Sequence, residues 1–291
     1  MTGVHFWKKI LRDNKMTLRE ALEFGQEQLK NAGIEDAAVD AWYLLEYVTG
    51  LNRTSYFLHM NETLEEAQVS AYQGYIEIRK NHIPLQHITG TQEFMGLEFC
   101  VNEHVLVPRQ DTEVLVEHVL GLLKPGMDIL DMCTGSGCIL ISLMKLGKEV
   151  RGVGVDVSKE ALQVARGNAK KHEVQATFIQ GDLFANIEGQ FDVIVSNPPY
   201  IRTSVIEELK EEVKFHDPFL ALDGKEDGLY FYRKIIEESP KYLKQGGWLC
   251  FEIGHDQGEA VKQFMENAGF QNVSVKKDLA GLDRVVLGVY I

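Results

Sequence analysis

Several residue types that would mark common functions are scarce in this chain. Only four cysteines occur in 291 residues, at Cys100, Cys133, Cys138 and Cys250. They form neither a CxxC pair nor a zinc-type spacing, which excludes a disulfide scaffold and a zinc finger. Reduced thiols and a cytoplasmic location are the expectation. The histidines do not cluster either. His82 and His87, the nearest pair, flank Pro84 instead of sharing a helix face, so no metal is expected. Basic residues are outnumbered: Lys and Arg total 30 against 43 Asp and Glu, a formal net charge of -13. That argues against a broad nucleic-acid surface, which needs a basic stripe. An acidic body could meet a basic protein patch, although solubility alone explains it. No apolar run approaches a membrane span, and the opening MTGVHFWKKI lacks the apolar core of a secretory leader.

What remains is ordinary globular composition, 45% hydrophobic and 25% charged. This length can bury a core without staples, in one large domain or two smaller ones. The first third reads as helices. Thr17 with Glu20 has the pattern of a capping box, and Leu18, Ala21, Leu22 and Leu29 then follow one face until Gly33. A second helix is expected from about Asp36 to Thr49, stopped by Gly50. A third opens at a Thr63–Glu66 capping box and runs to about Lys80, before Pro84. The texture then becomes hairpin-like, with Phe94, Leu97, Phe99, Val101, Val105 and Val107 among glycines and polar residues. From Asp111 on, apolar strands alternate with helices. Strands are expected at Met127–Asp131, Val150–Asp156, Ala176–Gln180, Phe191–Ser196 and Gly247–Ile253, with helices at Lys159–Lys171 and Gly228–Leu243. That alternation predicts a parallel, doubly wound α/β sheet. Asn272–Lys277 and Arg284–Tyr290 have no room for a helix between them and predict an antiparallel hairpin at the sheet edge. The domain boundaries expected are a helical bundle over 1–83, a β-hairpin linker over 84–110 and an α/β domain over 111–291.

The first strand runs into Asp131-Met132-Cys133-Thr134-Gly135-Ser136-Gly137. Glycines in such a turn let backbone approach a ligand, and the following helix turns its N-terminal amides toward it. Roughly 20 residues later the second strand ends in Asp156, where an acid can hold ribose hydroxyls. The third strand ends in Gly181-Asp182-Leu183, a candidate adenine wall. A turn with no ligand would look similar, but Asp156 at that strand end favours a nucleoside. The third glycine of a dinucleotide fingerprint is replaced by Leu140, and the Lys-Ser/Thr of a P-loop is missing. Asp131 could accept from the amino group of an amino-acid moiety, or brace the loop. S-adenosyl-L-methionine, which carries adenosine and an amino acid but no phosphate, fits better than NAD.

The fourth strand stops abruptly at Asn197-Pro198-Pro199-Tyr200. Open α/β sheets bind ligands at this end of their strands. A methyl acceptor on an amide or amino nitrogen has a delocalised lone pair and must be held in one orientation. The Asn197 side-chain oxygen and the Pro198 carbonyl can accept its two N–H groups. Restricted φ at Pro198 and Pro199 keeps these acceptors aimed, and Tyr200 can cover the planar group. The plain alternative is a proline turn with Tyr200 in the core. The position beside the glycine turn favours catalysis, through orientation and electrostatics without a general base.

These residues resemble the PrmC/HemK protein-glutamine methyltransferases. The resemblance extends to Pro84–Gly90, Glu93–Leu97, Val107–Glu113, Asp131–Gly137, Asp217-Pro218 with Ala221-Leu222, Asp227-Gly228, Glu252–Gly254 and Asp283-Arg284. With the helical N-terminal region it covers nearly the whole chain. The resemblance implies the class I S-adenosylmethionine-dependent methyltransferase fold with a small N-terminal bundle that recognises the substrate. It implies methylation of the glutamine amide in the Gly-Gly-Gln motif of class 1 peptide chain release factors, leaving S-adenosyl-L-homocysteine. Cofactor binding is then assigned to Asp131, Cys133, Thr134, Gly135, Ser136, Gly137, Asp156, Asp182, Leu183 and Asn197. Substrate binding falls to Asn197, Pro198, Pro199 and Tyr200, with Asn197, Pro198 and Tyr200 as the catalytic set. Two positions depart from the family: Cys133 replaces a usual glycine, and Asp217 a usual glutamate. Arg109, Asp111 and Glu113 could bind near the methionine end of the cofactor or brace the hairpin. The release factor is the expected partner of a monomer that touches neither nucleic acid nor membrane. An exocyclic-amine methyltransferase of DNA or RNA is the competing enzyme, and a non-catalytic adaptor the competing class.

Overall fold

The computed structural model describes residues 15–147 and 149–291. The opening decapeptide and the first part of the expected 1–83 bundle therefore lie outside the described residues. The chain separates into two compact units, one ending at Gly90 and the other spanning Thr91–Ile291.

The first unit is helical: α1 (Leu18–Asn31), α2 (Ala37–Thr49), α3 (Arg53–His59), α4 (Glu66–Lys80) and the short α5 (Leu85–Thr89). The capping box expected at α1 is present. Glu20 N–H donates to Thr17 Oγ1 at 3.2 Å, and Thr17 N–H donates to Glu20 Oε2 at 2.8 Å. The box expected at Thr63 lies elsewhere. Thr63 forms an antiparallel bridge with Thr17, so α4 is capped by Glu65 and Gln68 instead. The core holds Leu29, Trp42, Leu44, Leu45, Tyr72 and Ile76. Arg79 and Asp40, both buried, pair at 2.8 Å. Asp40→Ala removes the carboxylate from a buried guanidinium that also donates to the Ile83 carbonyl, and should cost about 3 kcal/mol, seen as a large fall in melting temperature. Replacing both partners by apolar residues should recover most of the loss.

The second unit begins with a hairpin, β1 (Thr91–Phe94) and β2 (Leu97–Cys100), followed by α6 (Gln110–Leu120). The stretch expected as a linker thus divides at Gly90, with α5 before it and the hairpin after. Phe94 and Phe99 are buried in the core of the second unit. Next come β3 (Asp128–Met132), α7 (Cys138–Leu146), β4 (Arg151–Asp156), α8 (Lys159–Lys171), β5 (Thr177–Gln180) and β6 (Phe191–Ser196). The short helices α9 (Thr203–Ile206), α10 (Glu211–His216) and α11 (Phe219–Leu222) lead to α12 (Tyr230–Glu238), β7 (Leu243–Glu252), α13 (Gly258–Asn267), β8 (Gln271–Lys277) and β9 (Asp283–Val289).

Seven strands form one sheet in the order β5-β4-β3-β6-β7-β9-β8. The first five are parallel, and β9 and β8 are antiparallel, as the sequence pattern predicts. Strand side chains alternate between two cores. Val193 and Val195 enter one, with α6, α7 and α8, while Ile194 enters the other, with α12 and α13. Val285 and Leu287 alternate with Val286 in the same way. Burial on both faces explains the nearly continuous apolar strands. β7 starts four residues before the expected Gly247, because the ladder bulges between the pairs Phe191–Leu243 and Val193–Trp248. The order reverses at β3, whose neighbours are β4 and β6, so the carboxyl ends of these three strands enclose a crevice.

Candidate active site

The crevice is a cavity of about 530 Å³, within the range of small-molecule sites. Its floor is the turn from β3 to α7. Cys133, Gly135 and Gly137 all take positive φ, at 60°, 54° and 80°. This left-handed path reverses the chain and brings the start of α7 to the strand end. A Cβ on Gly137 would also lie 2.9 Å from Ile141 Cδ1 and 3.2 Å from Ala165 Cβ, so the turn packs closely on α8. Cys133 bears the strain of a left-handed non-glycine residue, about 1–3 kcal/mol, which accounts for glycine being usual there. Burial raises its thiol above the ordinary range, which disfavours the thiolate.

Two carboxylates hold the turn. Asp131 is fully buried, and its Oδ2 accepts from the Thr134 hydroxyl at 2.6 Å. Its Oδ1 has no partner. Burial pushes this acid up to about 7 against the Thr134 bond. Asp156 accepts from Gly135 N–H and Ser158 N–H, each at 2.9 Å, and so ties the turn to the end of β4. Burial raises it too, against those backbone bonds. Asn168 on α8 accepts from Cys100 N–H and donates to the carbonyls of Cys100 and Ser136, joining hairpin and turn.

The Asn197–Tyr200 segment leaves β6 beside this turn. Ser196 Oγ donates to the Met132 carbonyl at 2.7 Å, which fixes where the strand ends. Asn197 Nδ2 donates to Thr112 Oγ1 at 3.3 Å. The Tyr200 hydroxyl donates to Glu252 Oε1 at 3.3 Å, and its own ionisation is suppressed by burial. Backbone closes around Tyr200. Gln257 Nε2 donates to the carbonyls of Tyr200 and Gly228, and Ile201 N–H donates to the Leu222 carbonyl.

Of the residues expected at the site, Cys133, Thr134, Gly135, Ser136, Asp156, Asp182, Leu183, Asn197 and Pro199 line the cavity. Asp131, Gly137, Pro198 and Tyr200 each adjoin one of the lining residues in the chain. The structure also brings in Thr112, Pro218 and Lys225 at the lining, and Glu252 and Gln257 behind it. Thr112 and Glu252 belong to motifs visible in the sequence, but only the fold places them beside Asn197 and Tyr200. Glu113 Oε1 accepts from Met95 N–H at 2.6 Å, which is the bracing role. Asp111 pairs with Arg284 at 3.0 Å. Arg109 lines the cavity and donates to buried Asp217 at 2.8 Å. Asp217 keeps the carboxylate of the usual glutamate. No cluster of metal-binding side chains occurs among the described residues.

Known proteins match both units. The PrmC N-terminal domain family matches residues 20–90, and a methyltransferase domain family matches residues 123–281. The release factor glutamine methyltransferase of Geobacter sulfurreducens is 41% identical over 273 residues, covering 94% of this chain and 96% of that protein. The enzyme of the same name from Bacillus subtilis is 38% identical over 281 residues, covering 93% and 96%. Among solved structures, a methyltransferase from Pyrococcus furiosus superposes with a TM-score of 0.53 at 18% identity, covering 75% of this chain and 99% of that one, a likeness of fold. With identity near two-fifths sustained over both units, and with the glycine turn and the Asn-Pro-Pro-Tyr segment meeting at one cavity, this chain belongs to the release factor glutamine methyltransferase family.

Proposed function

We propose that this protein transfers a methyl group from S-adenosyl-L-methionine to the side-chain amide nitrogen of the glutamine in the Gly-Gly-Gln motif of class 1 release factors. The observation that carries this reading is the placement of Asn197 and Pro199 in the same cavity as the glycine turn and Asp156. A primary amide presents two N–H groups in one plane. Asn197 Oδ1 and the Pro198 carbonyl accept one each, which fixes that plane and raises the electron density on nitrogen. The two prolines hold the acceptors still, and Tyr200, anchored by Glu252, supports the wall beside them.

The residues of the turn fit the proposed cofactor. The unpartnered Asp131 Oδ1 is an acceptor for its amino group, Asp156 for its ribose hydroxyls, and Leu183 an apolar wall for its adenine. When bound, the cofactor supplies an electrophilic sulfonium methyl. The N-terminal helical unit recognises the release factor. With a formal net charge of -13, no nucleic-acid partner is assigned.

Asp131 gives a pH test. Its carboxyl is raised to about 7, so it is largely neutral below that value and charged above it. Affinity for S-adenosylhomocysteine should therefore increase between about pH 5.5 and 7.5, as the carboxylate that meets the ammonium forms. In Asp131→Asn, titration calorimetry should find weaker binding and a shallower profile over that window, the remainder coming from Glu252, which burial also raises to about 7. The function itself is tested by incubating the enzyme and labelled S-adenosylmethionine with a class 1 release factor, total RNA or duplex DNA. Label in the release factor supports the proposal. Label only in nucleic acid would replace it with the exocyclic-amine reading.

A further inference from the structure

A glutamine side chain is short, so its backbone must rest at the cavity mouth when its amide reaches Asn197. The chain on either side of that glutamine then crosses the rim. The rim carries large apolar side chains in water. Leu220 lines the cavity and is 63% exposed, and Phe219 beside it is 54% exposed. We infer that Phe219 and Leu220 form a docking surface for the loop that carries Gly-Gly-Gln in the release factor, and that they grip apolar side chains flanking the motif. This inference rests on the glutamine-methylation reading and names the surface that brings the substrate to that site.

The local fold turns these side chains outward. In Asp217-Pro218-Phe219-Leu220-Ala221-Leu222, the one-turn helix α11 buries Leu222 and leaves Phe219 and Leu220 in solvent. Both ends of the turn are fixed. Before it, the buried Asp217 carboxylate accepts from Arg109 at 2.8 Å. At its end, the Leu222 carbonyl accepts from Ile201 N–H at 3.0 Å. The rim is thus held before a partner arrives, which lowers the ordering cost of binding. The same ties place it on the substrate side of the cavity. Ile201 directly follows Tyr200, and Gly224 N–H donates back to the Ile201 carbonyl at 2.8 Å. A Cβ on Gly224 would lie 2.7 Å from Tyr200 Cα, so the chain leaving α11 rests on the backbone of the Asn197–Tyr200 segment. Tyr230, 39% exposed, also lines the cavity and adds an aromatic side chain to the rim. Large apolar groups held in water beside a cavity gain by being covered. The continuity of this face with the cavity decides the occupant. The substrate loop must cross it to deliver its glutamine, whereas a second copy of this chain seated here would close the mouth against the substrate.

The test compares wild type, a double variant carrying Phe219→Ser and Leu220→Ser, and the control Leu279→Ser on an intact class 1 release factor. Leu279 is apolar and fully exposed in the turn between β8 and β9. All three substituted side chains are exposed, so melting temperatures should match wild type. The double variant should raise KM for the release factor at least about tenfold, the scale of losing an apolar anchor from an interface, with kcat changed less than about threefold. Its affinity for S-adenosylhomocysteine should stay within about twofold of wild type, since the lost contacts are to the protein substrate. Leu279→Ser should leave all three values at wild type. Unchanged KM in the double variant, an equal rise in Leu279→Ser, or a loss confined to S-adenosylhomocysteine binding would each overturn the inference. A wild-type dimer in sedimentation that the double variant dissolves, with KM unchanged, would give this face to a second copy and overturn it as well. Wild type that does not label the release factor at all would overturn the functional reading first, and this inference with it.

Discussion

Asn197→Ala should lower methyl transfer to the release factor by about 10²- to 10³-fold in kcat, the cost of removing one preorganised group from a transition-state pocket, about 2.7–4 kcal/mol. The size of the effect follows from what the side chain does. The target nitrogen attacks only when its lone pair is turned out of conjugation and pointed at the methyl donor. Asn197 supplies one of the two acceptors that hold it so. Alanine leaves the Pro198 carbonyl alone, and a single acceptor lets the amide rotate. Stability should change little, because the side chain is only half-buried and gives one hydrogen bond, to Thr112. Calorimetry with S-adenosylhomocysteine should find binding weakened much less than turnover. Single-turnover rates with saturating release factor separate the two quantities. Near wild-type kcat in this variant would remove Asn197 from the mechanism.

Gly228→Ala should damage both stability and activity although residue 228 carries no chemical group. Its φ is +74°, and a Cβ there would lie 2.5 Å from the Tyr200 carbonyl oxygen and 2.8 Å from Gln257 Nε2. Neither neighbour can retreat freely, since Gln257 donates to that same carbonyl at 3.0 Å. The left-handed backbone costs about 1–2 kcal/mol for alanine, and the overpacking about 1–3 kcal/mol more. A shift of Tyr200 also moves the two prolines, so turnover should fall at least about tenfold. Gly189→Ala is the control. Gly189 also has positive φ, at 88°, but a Cβ there meets nothing within 4 Å. It should show the backbone cost in thermal unfolding and keep its turnover.

Strand positions and topology were legible because the central strands β3, β6 and β7 are buried on both faces and the helices between strands keep an apolar stripe. Phe191–Ser196 and Lys159–Lys171 occur with the bounds the sequence predicts. The glycine turn and the Asn-Pro-Pro-Tyr segment were legible because left-handed turns and rigid acceptors demand particular residues. Other features depend on contacts far apart in the chain. The bridge between Thr17 and Thr63 displaces a capping box that local pattern places at Thr63. Helix α3 is too short for periodicity to reveal, although Asn52 caps it by accepting from Ser55 N–H at 2.9 Å. Thr112, Glu252 and Gln257 reach the site from α6, β7 and the loop after it. No spacing rule links residues that distant, and only the sheet order brings them beside Tyr200.

The most direct measurement of the central claim is transfer of label from S-adenosylmethionine to a purified class 1 release factor, run beside a variant whose Gly-Gly-Gln glutamine is alanine. The predicted result is label on the normal factor and none on the variant. Equal label on both would place the methyl group elsewhere and contradict the account.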